Sequence, residues 1–274
     1  QYRSAIVDRQ PGRLTADLWS RYLYHPAALG GVTDLWDLIG PASYRMWPED
    51  PSSHGVGRGE KVTTKNASGA ARYVLDLASS LGIPLDELYV GGKDPDGIRA
   101  LPTPSGPALI LGSGVKARPD AAQRHRLGVL LAHIRLGTLA LERMVKEDLA
   151  VFVAGAVREG VSDYEPDLPA NRVSEANKHI RKALSRKQRK SLPLLGTNFA
   201  GEAANLERWR RGIALTVQRV GLLCSGDLKD SVSALLDGDV DPERVANQEF
   251  SRELILFALS DAHIELRMTL GVAR

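Results

Sequence analysis

Apolar residues recur at helical spacing along most of the chain, and the period shortens to that of strands only between residues 88 and 111. Residues 14 to 40 read mainly as helix through Leu14, Leu18, Leu23, Leu35 and Ile39, with Thr33-Asp34 opening a second short one. Trp19 and Trp36 are expected to pack this layer against the rest. Residues 41 to 66 hold Pro41, Pro48, Pro51, Gly55, Gly57 and Gly59 with few regular apolar positions, the mark of a long irregular connection. Ser68 caps a helix running to about Ser80, which Gly82 and Pro84 terminate. Three β-like segments follow: Leu88-Tyr89-Val90, Ile98-Arg99-Ala100-Leu101 and Ala108-Leu109-Ile110-Leu111. Glycine- and proline-rich turns separate them, which suits a small sheet with hairpin connections.

After Gly114 the helical period returns. Residues 119 to 141 read as one long helix and 144 to 158 as another, whose centre from Leu149 to Val157 is nearly all apolar and so expected to be buried on most sides. Residues 174 to 190 form a basic helical candidate. Asn205 to Leu223, Asp227 to Leu236, Asp241 to about Leu259, and Asp261 to Leu270 complete a helical C-terminal half. Helices, a small sheet, then many helices define an α+β chain, predominantly helical, without alternating βαβ units. The division expected is an N-terminal helical and irregular segment, 1–66, packed as one unit with an α+β domain, 67–274.

Composition narrows the classes. Of 274 residues, 43% are apolar and 25% charged, a globular profile with enough chain for a full core. No apolar run is long enough to span a membrane. The net charge of +3 says little about partners unless it is clustered, and 5% aromatics argues against a stacking platform for nucleic acid. The single cysteine, Cys224, excludes an intrachain disulfide and agrees with a reducing, cytoplasmic setting. The chain opens with Gln1 rather than Met, as expected of a piece of a longer protein. No dinucleotide fingerprint or phosphate-binding lysine loop is present, and Gly55-Val56-Gly57-Arg58-Gly59 does not follow a strand.

Between residues 68 and 225 the order of elements is specific. A helix leads through Leu81-Gly82-Ile83-Pro84-Leu85 into a short strand, a proline-rich hairpin and the apolar strand Pro107–Gly112. A long helix then carries Leu131-Ala132-His133-Ile134-Arg135-Leu136-Gly137, and a later one carries Thr216-Val217-Gln218-Arg219-Val220-Gly221-Leu222-Leu223. This resembles the core of HtpX-like zinc metallopeptidases (gluzincins), in degenerate form. In that family the first helix bears His-Glu-x-x-His and the second bears Glu-x-x-Ala-Asp-Arg. Two histidines on one helical face bind zinc, the glutamate activates a metal-bound water, and a carboxylate from the second helix completes the ligands. The resemblance puts the first histidine at His133, the catalytic glutamate at Ile134, the second histidine at Gly137, the third ligand at Ala214, the family's aspartate at Gln218 and its arginine at Arg219. Only His133 and Arg219 keep the family's residue type. One imidazole cannot hold catalytic zinc and isoleucine cannot act as a base.

The segments Phe257–Asp261 and Leu266–Gly271 are similar to the end of degenerate peptidase-like domains found in large bacterial proteins with tetratricopeptide repeats. The resemblance therefore implies a pseudoenzyme with neither cofactor nor metal. It would act through a protein partner or adjacent domains of the same polypeptide, its remnant cleft accepting a peptide by strand addition.

Among other features, the run from Lys178 to Lys190 is the sharpest. Lys178, Arg181, Lys182, Arg186, Lys187, Arg189 and Lys190 stand without an acid between them. Such a stripe suits a solvated face, an acidic protein surface or a phosphate backbone, and no nucleic-acid motif accompanies it. The six histidines form no i,i+4 pair, Trp209 reads as a core anchor beside arginines, and Asp94-Pro95-Asp96-Gly97 reads as a turn. Two alternatives stay open: an active hydrolase with unaligned ligands, and a nucleic-acid-associated helical domain using the 178–190 run.

Overall fold

The computed structural model describes residues 12–161, 163–201, 205–236 and 240–271. Helix α1 (Ala16–Leu18) runs on into a π-helical turn, Trp19–Leu23, and α2 spans Gly31–Ile39. The stretch read as an irregular connection holds 3-10 turns at Gly40–Arg45, Pro51–His54 and Arg58–Glu60, and then a two-residue strand, β1 (Lys61–Val62). Helix α3 (Gly69–Ser80) precedes β2 (Glu87–Val90), β3 (Ile98–Thr103) and β4 (Gly106–Leu111). The remaining helices are α4 (Ala121–Leu136), α5 (Lys146–Gly160), α6 (Ala170–Ala183), α7 (Arg186–Arg189) and α8 (Leu192–Gly201), followed by α9 (Leu206–Ser225), α10 (Leu228–Leu236), α11 (Pro242–Asn247), α12 (Glu249–Ala258) and α13 (Asp261–Thr269). The fold is predominantly helical, with one small mixed sheet packed beside the helices.

The sheet order is β1-β2-β4-β3. Only β3 and β4 form the expected hairpin, closed at Thr103 and Gly106. Strands β2 and β4 run parallel, because β3 lies outside β4 rather than between it and β2. Side-chain alternation sorts the sheet's residues cleanly. Leu88, Ile98, Leu109 and Leu111 join the main helical core, whereas Tyr89, Leu101, Ala108 and Ile110 form a second cluster. Val56, from the proline-rich connection, covers that second cluster. The irregular segment thus supplies the lid on the sheet's far face.

The main core runs from Leu14 to Leu266 without a break at residue 66. Its centre is aromatic. Trp36 of α2 meets Phe152 of α5 at 5.7 Å and Trp209 of α9 at 5.0 Å between ring centroids. Trp209 Nε1 donates to Thr33 Oγ1 at 2.8 Å, and Trp19 Nε1 donates to the Leu81 carbonyl at 2.8 Å, so both indoles are satisfied inside. Helix α5 is buried from Leu149 through Val157 apart from the half-buried Ala150, as its composition requires. Helices α4 and α9 form the most extensive pairing between elements, and small residues set their approach. A Cβ at Gly128 would lie 2.8 Å from Cys224 Sγ and from the Val220 carbonyl oxygen.

The basic segment read as one helix over 174–190 is two. Leu184 is extended, and Ser185 opens α7 with a capping box closed by Gln188. The buried Leu184 draws the chain back to the core, which breaks the continuous basic face. Helix α8, which begins Leu192-Pro193, has no counterpart among the expected elements.

Candidate functional site: two cavities beside α4

The remnant-cleft residues do not share one cleft. Helix α4 ends at Leu136, and Gly137 caps it in the left-handed region at φ 65°. Positions 133 and 137 therefore cannot both present side chains from one helical face. His133 turns inward, with Nδ1 2.8 Å from Thr138 Oγ1 and Nε2 3.8 Å from the exposed Glu142. Burial pushes its pKa down to about 4, so the imidazole is neutral. It fastens the turn that follows α4.

Gln218 faces a different histidine. His125, two turns earlier on α4, places Nε2 2.9 Å from Gln218 Oε1. Its Nδ1 is buried without a hydrogen-bond partner and lies where a Cβ on Gly221 would come within 2.8 Å. Burial lowers the pKa of His125, opposed by the Gln218 hydrogen bond. The pair lines a cavity of about 410 Å³ together with Asp96, Gln123, Arg126 and Val129. Ala214 stands one turn before Gln218 on α9, half-buried and without a donor atom. Arg219 points elsewhere: it donates to the Tyr24 carbonyl at 3.1 Å and stacks over Phe257 at 4.9 Å. It ties α9 to the N-terminal turn and to α12. Among the described residues, no group of three or more His, Cys, Asp or Glu is placed to hold a metal ion.

Ile134 and Gly137 line a second cavity, of about 400 Å³. Three elements meet there. The β3–β4 hairpin brings Thr103 to Pro107, the end of α4 brings Ile134 to Gly137, and the break between α6 and α7 brings Ala183, Leu184 and Gln188. Two residues of the cleft remnant and three uncharged residues of the basic segment thus border the same space. Asp37, Arg45 and Arg135 add charge, and the buried Tyr44 adds a phenol that burial keeps protonated. Burial pushes the Asp37 carboxyl up to about 6, with Arg135 opposing and Asp34 adding to the rise. Arg45 and Arg135 are exposed and make no ion pair among the described residues, and the Arg135 guanidinium lies 5.8 Å from the centre of the Trp19 ring.

Within the basic run, Arg181 pairs with Glu159 at 3.3 Å. Lys178, Lys182, Arg186, Lys187 and Lys190 are exposed, and Arg189 is half-buried. The signal for its break was present as Ser185-Arg186-Lys187-Gln188, a capping box inside a charge run. The cavity's other charged walls, Arg45 and Asp37, carried no signal, since they arrive from a segment with no regular period.

Strand addition has little free edge to use. At the open side of β3, the Glu49 N–H already donates to the Pro102 carbonyl at 2.7 Å, and Pro102 itself has no N–H to offer. No helix among the described residues is long and apolar enough to cross a membrane. In comparisons with known proteins, no family model, curated protein or solved structure matches this chain.

Proposed function

We propose that this chain is a non-catalytic, protein-interaction module on a degenerate peptidase-like scaffold. The meeting of hairpin tip, α4 terminus and basic α6–α7 break around one cavity carries this reading. A partner segment enters there by its side chains rather than by adding a strand. The resemblance to zinc metallopeptidases is better served by His125 than by His133, because the position four residues after His125 still lies within α4, whereas Gly137 lies beyond its end, and because His125 faces Gln218. In that register Arg126 stands at the glutamate position, Val129 at the second histidine and Ala214 at the third ligand. None of those three supplies a carboxylate or imidazole, which supports a scaffold over a hydrolase. A bacterial, cytoplasmic setting and a larger host polypeptide belong to the same proposal.

The test is a selection of peptides from a random library on the full chain, run after exposure to Zn²⁺ and removal of the excess. The expected result is selected peptides that remain intact and cross-link to Ile134, Leu184 or Gln188, with no zinc retained. Cleavage of the peptides, or about one zinc per chain, would overturn the reading in favour of the hydrolase.

A further inference from the structure

We infer that the cavity under the hairpin tip binds an acidic protein segment, with Arg45 and Arg135 taking its carboxylates; this rests on the interaction reading above. Both arginines line the cavity; Arg45 has no ion pair among the described residues, and Arg135, whose guanidinium lies 5.8 Å from the Trp19 ring, acts on Asp37 through its charge without a direct ion pair. Three acids of neighbouring segments are engaged elsewhere. Glu49 pairs with Arg143 at 3.2 Å and with His54 at 3.0 Å. Asp148 and Glu147 both pair with Arg172. Charge left over in a concave wall is the arrangement a bidentate carboxylate completes.

Exposed basic residues adjoin the lining in sequence. Lys182 precedes the lining residues Ala183 and Leu184, and Arg186 and Lys187 precede Gln188, all exposed. Asp37 is the only carboxylate among the described lining residues. The mixed lining also holds Ile134, Leu136 and Leu184, against which an apolar side chain of the bound segment packs.

A nucleic acid fits less well. Its backbone needs a continuous basic track, and the run is broken at Leu184 and partly neutralised where Arg181 meets Glu159. The lining offers Tyr44 as its one aromatic ring, and that ring is buried among core residues.

The experiment uses the full chain and three fluorescent probes of similar length, read by anisotropy at low and high salt. One is a peptide alternating Glu and Leu, one alternates Lys and Leu, and one is a single-stranded oligonucleotide. The Glu-Leu peptide is expected to bind best, and salt is expected to weaken it. The double variant Arg45→Glu, Arg135→Glu is expected to weaken it by about tenfold or more, in line with loss of two charge-assisted contacts. A charge-matched control, Arg58→Glu with Arg118→Glu, lies outside the lining and is expected to change binding less than about threefold. Unchanged circular dichroism and thermal unfolding verify that both doubles fold.

Equal losses in the two doubles would overturn the site and leave only diffuse charge attraction. Tighter binding of the oligonucleotide than of the Glu-Leu peptide would overturn the occupant. Failure of the Glu-Leu peptide to bind also overturns this inference. The interaction reading is judged separately, by whether the library yields intact peptides of any other composition that cross-link at the cavity.

Discussion

The contact between α4 and α9 and the cavity at the end of α4 are built from the same helix in opposite ways. Along the contact, the polar groups are largely committed. Arg210 of α9 donates to the Met144 and Leu141 carbonyls, each at 2.8 Å, Arg124 of α4 donates to the Ser225 carbonyl at 2.7 Å, and His125 holds Gln218. Around the cavity, neither Arg45 nor Arg135 makes an ion pair among the described residues, and Asp37 is the one carboxylate in the described lining. Side chains that serve stability are satisfied within the fold, whereas charge that the fold leaves unsatisfied is available to something outside it.

The comparison breaks most severely if the aromatic centre behind both regions is removed. Phe152 is fully buried and meets the rings of Trp36 and Trp47 edge-on, at 5.7 and 5.8 Å between centroids. Phe152→Ala is expected to cost about 3–5 kcal/mol, because the surrounding helices cannot close the space. Urea unfolding followed by tryptophan fluorescence measures it. A loss under about 1 kcal/mol would mean that this centre is not the keystone of the packing.

A smaller change tests the contact alone. Gly128→Val forces atoms into Cys224 and the Val220 carbonyl, and is expected to cost about 2–3 kcal/mol by overpacking. The cavity, about two turns further along α4, is expected to keep its affinity for an acidic peptide as long as the variant folds. Joint loss of both would show that the two regions are one mechanical unit.

His133 sharpens the comparison by pH. Its pKa falls from the ordinary value to about 4 because burial disfavours the cation. Below the unfolded pKa the unfolded chain takes up a proton that the folded chain refuses. The stability is therefore fully present above about pH 6.5 and is lost as pH falls toward the folded value. Between pH 7 and about pH 5 this one group is expected to remove about 2 kcal/mol, and His133→Gln is expected to flatten that part of the profile. A profile identical in the variant would mean that the imidazole is hydrated or paired with Glu142 more strongly than its 3.8 Å separation indicates.

Much of this architecture was legible in the sequence, and the misses share one cause. The strands at residues 88, 98 and 108, the apolar helix through Phe152 and the long helix through Leu131 follow directly from period and burial. What period cannot report is where a chain without period goes. Val56 covers the sheet, and Arg45 enters the cavity wall, from a stretch with no regular pattern. The parallel pairing of β2 with β4 was hidden for a similar reason, since adjacency in sequence favours hairpins. That positions 133 and 137 do not share a helical face depends on where α4 stops. Gly137 carried that signal as a helix cap, although the resemblance assigned it to a ligand position.

The smallest expected effects come from two arginines, one from each region. Arg210 sits half-buried on α9 and satisfies two carbonyls at the end of the turn after α4, so Arg210→Gln is expected to cost about 1–2 kcal/mol. Arg45 is exposed and unpaired, so Arg45→Gln is expected to change stability by less than about 0.5 kcal/mol. Both substitutions remove one positive charge, so a difference between them cannot come from net charge. Binding of the acidic peptide is expected to show the reverse order, with Arg45→Gln the more damaging of the two. If Arg45→Gln destabilised the chain as much as Arg210→Gln did, Arg45 would already be committed within the fold. The cavity would then have no charge to offer a partner, and the distinction between the two ends of α4 would fail.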